Sequence, residues 1–122
     1  MASKASGEFS FKAITATYSP GPAGGVLSQV NWEGTVSGFG AAFGTATYSG
    51  GPKGGSYSMC GQVFMDDGDV LTSIGKGTYE AVGKHRWRTR SVTEISDGRR
   101  TRSEGEIDLA SRSWKGTIFD IG

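Results

Sequence analysis

Along this chain apolar and polar residues alternate at period two in one stretch after another, and nowhere recur at helical spacing between plausible caps. Glu8–Tyr18 reads as a first strand, with Phe9, Phe11 and Ala13 on one side and Ser10 and Lys12 on the other. Ser19-Pro20-Gly21-Pro22-Ala23-Gly24-Gly25 then carries every turn signal and is expected to be a loop. Further strands are predicted at Val26–Ser37, Ala41–Ser49, Gly55–Met65, Asp69–Ala81, Lys84–Ile95, Arg99–Leu109 and Ser113–Ile121. Short Gly-containing hairpins join these eight runs. The expected fold is all-β, a closed antiparallel barrel of about eight strands, in a single domain over residues 1–122.

Charge fixes one hairpin in detail. A three-residue loop, Ser96-Asp97-Gly98, with Gly98 left-handed, pairs Ile95 with Arg99. The pairs that follow on one face are Glu94–Arg100, Val92–Arg102, Arg90–Glu104, Arg88–Glu106 and Arg86–Asp108, and four of these five oppose unlike charges. Each such pair contributes about 0.2–1 kcal/mol, enough together to choose the register. A two-residue loop would instead set Arg90 opposite Gly105 and lose the pattern. With the charged face in water, His85, Trp87, Thr89, Ser91, Thr93 and Ile95 face inward, opposite Leu109, Ile107, Gly105, Ser103, Thr101 and Arg99. That row is aromatic at one end and hydroxyl-rich at the other, as a ligand-holding lumen requires and a plain core does not.

Asp66-Asp67-Gly68 repeats the turn chemistry between the fourth and fifth strands, where both faces are apolar. Met59, Val63 and Leu71 lie on one, and Cys60, Phe64, Val70 and Ile74 on the other. A strand apolar on both faces needs a second covering layer, so a homo-oligomer is expected.

Composition adds limits. Twenty-one glycines, with only three prolines, demand tight turns, bulges or close strand approach. A net charge of +1 gives no general pull toward nucleic acid or membrane. Cys60 is the only cysteine, Met1–Gly7 has no apolar leader core, and no apolar run is long enough to cross a bilayer. A soluble, cytoplasmic protein without membrane association is the expectation.

Tyr57-Ser58-Met59-Cys60-Gly61, followed by Asp67, Leu71 and Gly75-Lys76-Gly77-Thr78-Tyr79-Glu80-Ala81-Val82-Gly83, resembles the allene oxide cyclase-like barrel superfamily. That superfamily includes dirigent proteins and related uncharacterised bacterial barrels. The resemblance covers about a quarter of the chain. It implies an apolar-lumened, often trimeric barrel that shapes cyclisation or coupling of a reactive small molecule. Cyclases of the family place a carboxylate and an amide two residues apart shortly before a Ser-Pro. Ser19-Pro20 matches, but the two polar positions fall on Phe11 and Ala13, so no catalytic residue carries over.

His85, the only histidine, is the one side chain that titrates near neutrality unperturbed and is the candidate acid–base residue. Its ordinary reading is a hydrogen-bonded rim residue beside the Gly83 turn. Trp32, Tyr57, Trp87 and Trp114 are the candidate shape-giving lumen residues, with Ser91 and Ser103 as polar anchors; core packing explains the aromatics equally well. Cys60 reads as a small buried hydrophobe, and Asp66, Asp67 and Asp69 as a polar turn. One His and one Cys offer no zinc spacing, so no metal is expected. Tyr79 and Glu80 form a candidate proton-transfer pair. Gly75-Lys76-Gly77 lacks the following helix of a phosphate loop. The run Lys84, Arg86, Arg88, Arg90, Arg99, Arg100, Arg102 suggests nucleic acid when read linearly, but its facing acids make a salt-bridged solvent face the better reading.

The leading functional expectation is a lumen that binds a small, mostly apolar or aromatic molecule, with isomerisation, cyclisation or addition–elimination as the cofactor-independent chemistry it would support. The alternative is a non-catalytic binding protein or oligomeric scaffold with a filled lumen. Single-stranded nucleic-acid binding through the arginine strands ranks third. Lumen volume separates the first two.

Overall fold

A computed structural model describes residues 5–22 and 24–122. Ala23 of the expected loop and the first four residues of the leader reading lie outside the described residues. Eight strands run in sequence order around a closed antiparallel barrel, each hydrogen-bonded to the next and β8 to β1. They are β1 (Gly7–Pro20), β2 (Val26–Val36), β3 (Gly40–Gly51), β4 (Gly54–Met65), β5 (Val70–Gly83), β6 (Arg86–Ile95), β7 (Arg100–Asp108) and β8 (Ser113–Asp120). Each lies within two residues of its predicted bounds. Among the described residues no helix is long and apolar enough to cross a membrane.

The β6–β7 ladder carries the register that the charges predict, from Arg86 opposite Asp108 to Glu94 opposite Arg100. The ion contacts themselves are more varied. Arg90 meets its opposite Glu104 at 3.9 Å, whereas Arg86 reaches diagonally to Glu106 at 3.1 Å and Arg88 crosses to Glu80 on β5 at 3.5 Å. Glu104 also accepts from Arg102 at 3.1 Å. The strands thus fix which charges are neighbours, and side-chain reach decides which of them touch.

Glycines make room for the aromatic core. The β7–β8 and β8–β1 ladders set Gly105 opposite Gly116 and Gly116 opposite Phe9. Phe9 lies across both: a Cβ built at Gly105 would come 2.7 Å from Phe9 Cζ, and one at Gly116 2.7 Å from Phe9 Cε1. Phe11 covers Gly34 and Tyr57 covers Gly77 in the same way. An eight-stranded barrel is just wide enough for its interior side chains to fill it. Here rings of one strand occupy the space that glycines of the next leave free.

β1, as long as β5 and longer than the other strands, extends past the end of β8. It pairs with β8 only from Gly7 to Lys12, then continues with β2 as far as Pro20. An irregularity between Ala13 and Thr15 inserts Ile14 as an extra residue. From there β1 is an exposed edge. The opposite strand, β8, begins at Ser113, level with Lys12.

Candidate functional site

The lumen divides into three levels. At the pole of the β3–β4 and β5–β6 turns, Tyr48, Tyr57, Tyr79 and Trp87 pack under the β3–β4 turn. Tyr79 Oη donates to the Gly51 carbonyl at 3.1 Å and Trp87 Nε1 to that of Pro52 at 2.8 Å. The Ala81 amide donates to the Lys53 carbonyl at 2.8 Å, which ties this turn to β5 and closes the pole. Trp32 Nε1 donates to Tyr48 Oη at 3.2 Å.

Trp114 occupies the middle. It is 2% exposed and its ring lies 5.4 Å from Trp32, 5.4 Å from Tyr57 and 5.8 Å from Phe9. Its Nε1 donates to Thr89 Oγ1 at 2.9 Å, so the one polar atom of this side chain is satisfied by a fully buried hydroxyl. Burial pushes the phenols of Tyr48 and Tyr57 above the ordinary tyrosine range. The Tyr57 hydroxyl lies beside Ser91 and Thr89 yet makes no well-formed hydrogen bond.

Above Trp114, toward the β6–β7 turn, a chamber of about 90 Å³ remains. One wall is apolar, formed by Phe9, Phe11, Met59, Val63 and Ile118 with Trp114 as floor. The other presents the hydroxyls of Ser73, Ser91, Thr93, Thr101 and Ser103. Ser91 and Ser103 bond to each other across the β6–β7 ladder. Among the described residues no titratable side chain lines the chamber.

The mouth is spanned by two turns that lie half a barrel apart in strand order. Phe39 comes from β2–β3 and Arg99 from β6–β7, and the guanidinium stacks 4.3 Å from the ring centroid. Arg99 is itself clamped, Nε to Asp97 Oδ2 at 2.8 Å and Nη2 to the same oxygen at 2.7 Å. Those contacts hold the Asp97 carboxyl below the usual carboxylate range.

The sequence-predicted residues divide accordingly. Trp32, Tyr57 and Trp114 are buried together as core, and Trp87 is half-buried against the β3–β4 turn. Only Ser91, Ser103 and the Trp114 floor face the chamber. His85 does not join them. The inward row ends at Trp87 because His85 enters the β5–β6 turn with φ 52° and is exposed there, its carbonyl accepting from the Leu109 amide at 3.1 Å. Leu109, expected opposite it inside, is 50% exposed for the same reason.

Tyr79 and Glu80 point to opposite faces of β5: Tyr79 turns inward, whereas Glu80 reaches Arg88 outside. Cys60, expected to be buried, is exposed on the outer wall. Asp67 Oδ1 accepts from the Asp69 amide at 2.9 Å, a polar turn, and among the described residues no acidic, histidine or cysteine cluster could hold a metal. Sequence reasoning set Arg99 at the end of the inward row and in the basic run but missed Phe39 and the stacking between the two, because a lid made by two turns 60 residues apart leaves no local pattern.

Comparison with protein-family models, curated proteins and solved structures gives no match to this chain.

Proposed function

We propose that this barrel is a non-catalytic receptor for a small, uncharged, amphipathic molecule held in the chamber beneath Phe39 and Arg99. The observation that carries this reading is the two-sided wall, with aromatic and aliphatic groups facing five hydroxyls. Ser91 and Ser103 satisfy each other, and the other three hydroxyls face a space in which an apolar filling would give them no partner. A chamber of about 90 Å³ takes roughly three waters or one molecule of about five non-hydrogen atoms. It lies well below the ~300–1,000 Å³ of drug-sized sites, which argues against a larger cyclisation substrate. Among the described residues the wall carries no titratable group to support acid–base turnover inside it.

The allene oxide cyclase-like resemblance enters here as part of the proposal, for its barrel and lumen and not for its chemistry. A cytoplasmic setting belongs to the same proposal and rests on the lone cysteine. The second reading, a scaffold with a filled lumen, is favoured by the packed aromatic plug of Trp114, Trp32, Phe9 and Phe11.

Titration with n-butanol and with butyrate, followed by amide and methyl NMR shifts, tests the choice. Butanol should saturate shifts at Thr101, Ser103 and Ile118 in the millimolar range, while butyrate leaves them unmoved because the wall offers its charge no partner. Unmoved chamber signals with both compounds would leave the filled scaffold as the function.

A further inference from the structure

Rings of neighbouring strands fill the space beside the inward-facing glycines Gly34, Gly77, Gly105 and Gly116. One glycine pair is left without a ring. Gly44 on β3 and Gly61 on β4 stand opposite each other, between Trp32 on β2 and Ser73 on β5. No ring atom is among the nearest neighbours of a Cβ built at either position. The nearest side-chain atom to Gly44 is Met59 Cε, 3.3 Å from the added carbon. The missing side chains leave a notch in the lumen wall, an annex of about 50 Å³ bordered by Trp32, Ala42, Gly44 and Gly61.

Annex and chamber adjoin. Phe11, Val36, Met59, Val63 and Ser73 line both. Of these five, only Met59 has an unbranched side chain with three rotatable bonds and a polarizable thioether, the kind that refills irregular gaps at small cost. The annex has about the volume of two waters, ~30 Å³ each in the liquid, which is the scale of a terminal sulfur and methyl. When Met59 turns into the annex, the chamber gains the space that the annex loses. Spaces of about 90 Å³ and about 50 Å³ then become one chamber of about 140 Å³.

We propose that Met59 is the size-selecting residue of the chamber, and that the ligands it admits extend to uncharged cyclic alcohols of about seven non-hydrogen atoms. This proposal rests on the receptor reading above. On the scale that gives the closed chamber about five non-hydrogen atoms, the enlarged one takes about seven or eight. A cavity of about 150 Å³ with aliphatic and aromatic lining holds a six-membered ring. Here the ring would lie against Phe9, Phe11 and Trp114, with its hydroxyl toward Thr93 and Thr101, which face each other across the β6–β7 ladder. Among the described residues neither space has a charged side chain on its wall, so a carboxylate or an amine finds no counter-charge.

Titrations of the full chain with n-butanol and with cyclohexanol, read by methyl NMR, test this in the parent and in two variants. Both alcohols should saturate in the parent. Only cyclohexanol should strengthen the NOE between the Met59 ε-methyl and the Trp32 ring, which lines the annex and not the chamber. Met59→Ile installs a side chain stiff at χ1, and Gly44→Ala puts a methyl group where the Met59 terminus must turn. Each should lower the cyclohexanol-to-butanol affinity ratio by at least about tenfold. Urea unfolding checks that both variants fold, and if Gly44→Ala does not, Met59→Ile carries the comparison alone. Butanol binding without cyclohexanol binding in the parent, or an unchanged ratio in Met59→Ile, overturns selection by Met59 and leaves the receptor standing. Binding of neither alcohol removes the receptor and the selection with it.

Discussion

Adding one methyl group at Gly105 tests how the lumen is packed. A Cβ there would lie 2.7 Å from Phe9 Cζ, 2.7 Å from the Lys115 carbonyl oxygen and 3.3 Å from Thr89 Oγ1. Carbon atoms prefer about 3.5–4.0 Å, so the Phe9 ring must move by nearly an ångström. The chamber it lines offers space for that movement. Overpacking of this kind costs about 1–3 kcal/mol, and the lost flexibility of glycine in the unfolded chain returns about 0.5–1 kcal/mol. Gly105→Ala should therefore destabilise by about 1–2 kcal/mol and weaken n-butanol binding.

Gly98→Ala is the control. That position has φ 98° and nothing within 4 Å of an added Cβ, so its cost of about 1–2 kcal/mol is purely conformational. Both variants should be measured by urea unfolding, followed through tryptophan emission, in the parent and in a Phe9→Leu background. Removing the ring edge should relieve the part of the Gly105→Ala penalty that the ring imposes, leaving the part set by the Lys115 carbonyl, and none of the Gly98→Ala penalty. If Gly105→Ala costs the same in both backgrounds to within about 0.5 kcal/mol, the ring-on-glycine account is wrong.

Two further outcomes follow from the plug. Trp114→Phe removes the donor to Thr89 Oγ1 and leaves a cavity, at a cost of about 2–4 kcal/mol in urea unfolding, and Thr89→Val in the same chain should recover part of it. Buried Tyr48 and Tyr57 stay protonated in the folded state above their ordinary value of 10.0, whereas the unfolded chain ionises there. Stability is thus fully present below pH 10 and falls by about 1.4 kcal/mol per pH unit per buried phenol above it. Stability curves between pH 9 and 11 that stay flat would contradict that burial.

Strand periodicity and charge carried most of the architecture in the sequence. The Arg86–Asp108 to Glu94–Arg100 register is local, joined by one short turn, and opposite charges mark it residue by residue. The interior was legible only in part. Inward facing of Trp87, Thr89 and Ser91 follows from that register, but the space left beside them depends on Phe9 crossing Gly116 and Gly105, contacts between chain segments about 100 residues apart. His85 shows a different limit: alternation extended one residue too far, because a left-handed turn residue obeys no strand period. The outward facing of Cys60 needed the β3–β4 and β4–β5 registers, which no charge pattern announces.

The seam between β1 and β8 makes the molecule a ring in everything but covalent connection. Its ladder spans only six residue pairs, and Ser6 is pinned to the Ile118 carbonyl by its amide at 2.8 Å and its hydroxyl at 3.1 Å. Every other neighbouring pair of strands is joined by a short turn, so seven ladders form by local hairpin closure and this one must wait for both ends of the chain. The barrel is therefore kinetically a zipper with a single long-range clasp. A peptide bridge across the seam, with a new opening at a turn such as Ser96-Asp97-Gly98, would move the clasp without changing a contact in the wall.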